Sequence, residues 1–267
     1  MVTLRSVILY GIFILPLKGM AVGRPLETEK RETVVIAPAS DSMASENRFS
    51  VKKAAGIALP AAMITYGLIS LGDNGIRCLD HNIRNDLTRN SAFWYIRADN
   101  YMQFAPAVAA FAIKGFGVSS AHNWSDMTAI YLLSNALAGG IVYGTKYGVG
   151  RQRPDGSNNL SFPSGHTETA FVAAEFLHQE FKEKSVWISV AGYSAATFVG
   201  AARIMNNKHW LSDVVAGAGI GILSTKALYW CYPYLKKTLG KSLGNNSALL
   251  LPGYSRGRMV VCFSYRL

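Results

Sequence analysis

An all-α bundle of several helices set in a membrane is the fold class this sequence predicts, and three observations predict it. Half of the 267 residues are apolar, and the mean hydropathy of +0.16 lies between that of a water-soluble enzyme and that of a chain wholly in lipid. Apolar stretches of up to bilayer length alternate with polar, basic loops. Strand-like alternation of apolar and polar residues is confined to the C-terminal tail.

The first apolar segment reads as a targeting signal. Arg5 supplies a positive start, Val7 to Leu17 a short apolar core, and the small residues around Gly19 to Gly23 a cleavage region. Residues 24–53 are polar and mixed in charge, with Pro25 and Pro38, and read as a linking arm. The helical domain is assigned to 54–235. Within it Ala54 to Gly72 is just long enough to span a bilayer. Phe104 to Val118 is shortened by Lys114 and is expected to be a half-buried helix. Met127 to Tyr143 is a cleaner span.

Residues 144–166 form a glycine-rich basic loop, and 167–181, with Glu168, Glu175, His178 and Glu180, are expected to form an amphipathic helix at best. Val186 to Ala202 and Val214 to Trp230 are again apolar. The second is rich in small residues, which suits close helix approach, and Pro233 is expected to end it. The tail, 236–267, alternates around Gly253 and Gly257 and could form a hairpin.

A formal charge of +11 favours an anionic partner. Basic residues interleaved with membrane-length stretches argue against nucleic acid and for lipid headgroups or a phosphorylated substrate. Cys78, Cys231 and Cys262 have no metal-ligand spacing, and no carboxylate cluster offers a metal a home, so neither metal nor other cofactor is expected.

Three clusters carry the chemistry: Lys146 to Pro154, Pro163 to His166, and Arg203 to Asp213. Phosphoryl transfer spreads negative charge over three oxygens, which fixed cations and N–H donors stabilise. Lys146, Arg153 and Arg203 supply the cations; Ser164 and Gly165, at a helix start, supply amides. His209 and Asp213 are four apart, so on one helix face the carboxylate would reach the imidazole and make it a nucleophile. His166 is left to protonate the leaving oxygen. Each cluster alone is ordinary: a solvated turn, a helix cap, a structural pair. Their occurrence in order, each beside an apolar helix end, shifts the odds. His81, His122 and His178 lack such company and read as structural.

The pattern K-x6-R-P, P-S-G-H and R-x5-H-x3-D resembles the type-2 phosphatidic acid phosphatase superfamily, which also includes vanadium haloperoxidases and bacterial acid phosphatases. The resemblance implies a phosphohistidine at His209, oriented by Asp213, with His166 as acid and no metal. One position departs: Ala202 stands where the family has serine before Arg203. The stretches from Asp99 to Pro106, Arg153 to Ser157 and Asn207 to Asp213 resemble lipid A phosphatases of Bacteroides-like bacteria, more closely the 4′-phosphatase type. That resemblance implies a multi-pass inner-membrane enzyme of lipopolysaccharide modification facing the periplasm, with a role in antimicrobial peptide resistance. The 1-phosphate of lipid A, undecaprenyl pyrophosphate and phosphatidylglycerophosphate stay open as substrates, and a non-catalytic lipid-binding scaffold is the alternative outside enzymology. Oligomeric state is not legible.

Overall fold

The computed structural model describes residues 56–89, 97–242, 248–255 and 258–265. The signal segment, the whole of the arm and residues 90–96 lie outside them. Eight helices are described: α1 (Gly56–Ile69), α2 (Gly75–Arg89), α3 (Asp99–Met102), α4 (Ala105–Gly115), α5 (Trp124–Val149), α6 (Gly165–Phe181), α7 (Val186–Met205) and α8 (Leu211–Ser242). The tail forms an antiparallel hairpin of β1 (Ala248–Ser255) and β2 (Arg258–Tyr265), with Leu250 opposite Phe263.

Among the described residues three helices are long and apolar enough to cross a membrane: α5, α7 and α8. The described part of α1 has 14 residues, about 21 Å at 1.5 Å per residue, which falls short of the ~30 Å hydrocarbon core. The reading of 54–72 as a full span therefore does not hold for its described part. The short, half-buried α4 is as expected, with Pro106, Ala107 and Ala110 buried and Val108 exposed. On α5, exposed Trp124 and Tyr143 stand about 29 Å apart along the axis. That spacing matches aromatic belts at the two faces of a bilayer.

The largest departure from the sequence reading is α6. Eleven of its 17 residues are buried, Glu168, Glu175 and Glu180 among them, so it is the central helix and not an amphipathic surface one. For Glu175 and Glu180 the reason is partnering: a buried carboxylate is tolerated when charges and donors meet it. Glu175 takes an ion pair from Lys226 at 2.9 Å and the Tyr193 hydroxyl. Glu180 takes His122 Nδ1 at 2.8 Å and the Tyr229 hydroxyl at 2.6 Å. The apolar remainder of α6 packs through Ala173, Phe176 and Leu177 into a core shared with α4 and α5.

Glycines on α8 let this core close. A Cβ on Gly217 would lie 2.5 Å from the Ser164 carbonyl oxygen, and one on Gly221 2.6 Å from that of Glu168. Close approach by small residues is thus realised against α6, as expected of a small-residue stretch. The helix does not end at Pro233. Tyr232 and Lys236, on either side of it, both reach Asp126 of α5, at 2.8 and 2.7 Å. These contacts hold the helix on course past the proline, so the helical body runs beyond 235.

Candidate functional site

The C-terminal ends of α5 and α7 and the N-terminal ends of α6 and α8 meet at one end of the bundle, together with α2 and α3. The Ser164 N–H donates to the Asp213 carbonyl at 3.0 Å, the Lys146 Nζ donates to the Leu160 and Pro163 carbonyls at 2.8 and 2.6 Å, and the Arg203 Nη1 reaches Asp99 at 2.7 Å. All three sequence clusters are brought together as expected.

His209 lies in the turn before α8, not on the helix, and is 2 % exposed. Its Nδ1 donates to the Ser161 carbonyl at 2.8 Å, and Asp213 Oδ2 stands 3.6 Å away. The expected direct carboxylate–imidazole bond along a helix face is therefore corrected. The carbonyl fixes the tautomer and Asp213 acts from beyond it, because Asp213 Oδ2 turns back to accept from the Trp210 N–H at 3.0 Å and from the Ser161 hydroxyl. That backbone bond is the reach-back of a capping box, closing the start of α8. With Nδ1 carrying the proton, Nε2 keeps a lone pair.

Burial lowers the pKa of His209 to about 4, against the pull of Asp213 and with the help of Lys146 and Arg203. The neutral ring is the form the fold favours. Stability from this group is complete above its ordinary pKa of 6.5 and is lost as pH falls through about 4. We expect the detergent-solubilised protein to lose about 2 kcal/mol between pH 7 and 4.5 from His209 alone. A melting temperature flat over that interval in scanning calorimetry would contradict this.

His166, the second residue of α6, is bonded through Nε2 to Asn100 Oδ1 of α3 at 2.9 Å. Its pKa is also lowered to about 4, by burial first and then by the nearby Arg203, with Asp99 opposing and Arg153 and Lys146 adding. Lys146 and Arg203 thus act on both histidines, and Arg153 on His166. Arg203 Nε is buried without a partner among the described residues, and the Arg153 Nε is held by Asn158 Oδ1 at 3.0 Å. Lys146, with two of its three hydrogens on carbonyls, can give the third to a ligand.

Ser164 is corrected in part. Its amide is spent on the Asp213 carbonyl and its hydroxyl on Thr167 Oγ1 at 2.9 Å. The amides of Gly165 and His166, in the first turn of α6, have no acceptor among the described residues. Unpaired helix-start amides of this kind are suited to an anion.

Several residues escaped sequence reasoning. Arg151 is turned inward, bridging Asp80 Oδ2 at 2.8 Å and Asp213 Oδ1 at 2.7 Å. Asp99 holds Arg203, and Asn100 holds His166. The sequence signal for Asp99 and Asn100 was their place in a stretch resembling lipid A phosphatases; Arg151 stood unremarked within the basic loop. His81 packs against Trp210 with the rings tilted and their centroids 4.7 Å apart, and His178 bonds Ser189 at 2.8 Å. Among the described residues no group of three metal-ligating side chains occurs.

Paired histidines, clustered cations and helix-start amides thus stand together at one end of the helical bundle. Residues 127–237 match the PAP2 superfamily model. A lipid A 1-phosphatase of Porphyromonas gingivalis is 43% identical over 57% of this chain and 34% of its own. A non-specific acid phosphatase of Salmonella typhi is 32% identical over 33% and 35%. The chain spans about a third of the length of these curated relatives. A solved transmembrane PAP2-type phosphatidylglycerolphosphate phosphatase of Bacillus subtilis aligns with 67% of this chain and 98% of its own, at 19% identity and a TM-score of 0.47.

Proposed function

We propose that this protein is a membrane lipid phosphatase that hydrolyses a phosphomonoester through a phosphohistidine. The observation that carries the reading is the convergence of two histidines, Lys146, Arg153, Arg203 and the α6 amides at the end of α5, near the level of its aromatic belt, where a lipid's phosphate lies.

His209 Nε2 attacks phosphorus while the P–O bond to the lipid breaks. The charge on the equatorial oxygens is met by the cations and by the Gly165 and His166 amides. His166, with Nε2 on Asn100, carries the transferable proton on Nδ1 and gives it to the leaving oxygen. Neutral His166 then takes a proton from water as that water attacks the phosphohistidine, releasing phosphate and restoring both rings. The three cations disfavour the imidazolium in the empty site, and a bound phosphate dianion compensates them. Substrate therefore brings in the proton that the first step spends.

An apolar groove of about 200 Å³ between α1, α5 and α8, lined by Ile64, Leu68, Ile141, Thr145, Phe162 and Leu223 among others, supports a lipid substrate. It adjoins the site in sequence at Thr145, beside Lys146, and at Phe162, beside Ser161. The reading takes lipid A as that lipid. The name of the 43% identical relative favours the 1-phosphate, while the resemblance of the 99–106, 153–157 and 207–213 stretches favours the 4′-phosphate.

For location, the reading takes the inner membrane with the site on the periplasmic face. This location follows the resemblance of the 99–106, 153–157 and 207–213 stretches to lipid A phosphatases. The test is mass spectrometry of lipid A from cells lacking the gene and from cells expressing His209→Ala. A retained phosphate in both supports the substrate and the nucleophile, and its position distinguishes 1 from 4′. Unchanged lipid A overturns the lipid A assignment.

A further inference from the structure

The geometry points to Asp80 and Arg151 as positioning residues: a latch from α2 that holds Asp213, and through it His209, in place. The inference rests on the proposed phosphatase reading. It concerns residues to which neither the sequence pattern nor the family match assigns a role, and α2 lies outside the matched 127–237.

Asp80 is 1% exposed, the one buried residue of α2. Its Oδ1 accepts the Ser212 N–H at 3.0 Å, and its Oδ2 accepts the Ser212 hydroxyl and Arg151 Nη2. Arg151 Nη1 goes to Asp213 Oδ1 at 2.7 Å and to the Ser212 hydroxyl at 2.8 Å. Its guanidinium carbon also lies 5.4 Å from the Trp210 ring centroid. Both terminal nitrogens are thus committed to carboxylates in a buried setting, a geometry suited to arginine and poorly met by lysine.

Arg151 therefore differs from its neighbour Arg153: it does not face the phosphate. Asp213 is the hub it fixes. The Asp213 carboxylate meets Ser161, whose carbonyl orients His209, and Trp210, the next residue after His209. The Asp213 carbonyl meets Ser164 at the start of α6. With Arg151 placed between two buried carboxylates, one negative charge is neutralised and one is left to face the ring that becomes cationic on phosphorylation. Removing the latch frees Asp213 and lets the imidazole rotate, while the phosphate-binding groups stay where they are.

The test measures kcat, KM for a soluble phosphomonoester and inhibition by inorganic phosphate in the purified full chain, for Arg151→Lys, Arg151→Met, Asp80→Asn and the milder Ser212→Ala. Arg153→Met serves as the comparison. We expect kcat to fall roughly 10- to 100-fold for the Asp80 and Arg151 variants and less for Ser212→Ala. The inhibition constant for phosphate should stay within about twofold of wild type, and should rise only in Arg153→Met. The acid limb of the kcat profile should shift with the latch variants, because the surroundings of His209 change. The Asp80→Asn/Arg151→Met pair should be non-additive.

A raised phosphate inhibition constant in Arg151→Met would make Arg151 a substrate ligand and overturn the proposal. Unchanged kcat and pH profile in Asp80→Asn and Ser212→Ala would overturn it too, even if the Arg151 variants fail to fold. Absence of turnover in the wild-type protein would instead sink the phosphatase reading.

Discussion

Replacing His209 by alanine is expected to reduce turnover by at least about 10⁴-fold, on lipid and soluble esters alike. The size follows from the geometry. His209 is the one imidazole with Nδ1 committed to a carbonyl and Nε2 left as a lone pair amid Lys146 and Arg203. Removing it eliminates the bond-forming atom, and neither the cations nor the helix amides can replace it. Rapid quenching at alkaline pH should trap an acid-labile phosphoryl group on the wild-type chain and none on the variant. A variant that retains even a hundredth of the activity, or a wild-type chain that never carries phosphate, would remove His209 from the mechanism.

Changing His166 to alanine should give an effect that depends on the leaving group. A lipid or sugar alkoxide is a poor leaving group and needs a proton as the P–O bond breaks; general acid catalysis of this kind contributes about 10²–10⁴-fold. An activated aryl ester, whose phenolate leaves unaided, does not need it for the first step. We expect lipid phosphate hydrolysis by His166→Ala to fall through most of that range. The burst of p-nitrophenol from p-nitrophenyl phosphate should persist, with slow turnover afterwards because His166 also assists water. An equal loss in the burst and in lipid hydrolysis would assign His166 to binding instead. Asn100→Ala should reproduce part of the phenotype, since Asn100 Oδ1 holds Nε2 at 2.9 Å and so sets which nitrogen carries the transferable proton.

The residues most legible in sequence were those whose chemistry is rare in apolar surroundings. Lys146, Arg153, His166, Arg203, His209 and Asp213 stand beside membrane-length helices, where ionisable groups are costly, and the fold does gather them at one end. Less legible was how they are held. Composition alone made α6 look amphipathic, because a glutamate counts as polar whether or not it is paired. Lys226 and Tyr193 lie far along the chain from Glu175, and His122 and Tyr229 far from Glu180. The Asp213–His209 relation was misjudged for a related reason. A spacing of four suggests a helix face, yet His209 precedes the helix and Asp213 caps it.

By itself, then, the sequence determined the fold class, through the length and apolarity of its helices, and singled out the candidate site residues, through the types and order of its charged side chains. Tertiary structure alone decided that α6 is the core, that the Ser161 carbonyl rather than the Asp213 carboxylate directly holds His209, and that Asp80 reaches in from α2 to fix Arg151. The physical reason is that local periodicity reports the water-facing or apolar character of a residue but not its partner. Whether a buried charge is tolerated, and where it points, depends on donors and acceptors that only folding brings within about 3 Å.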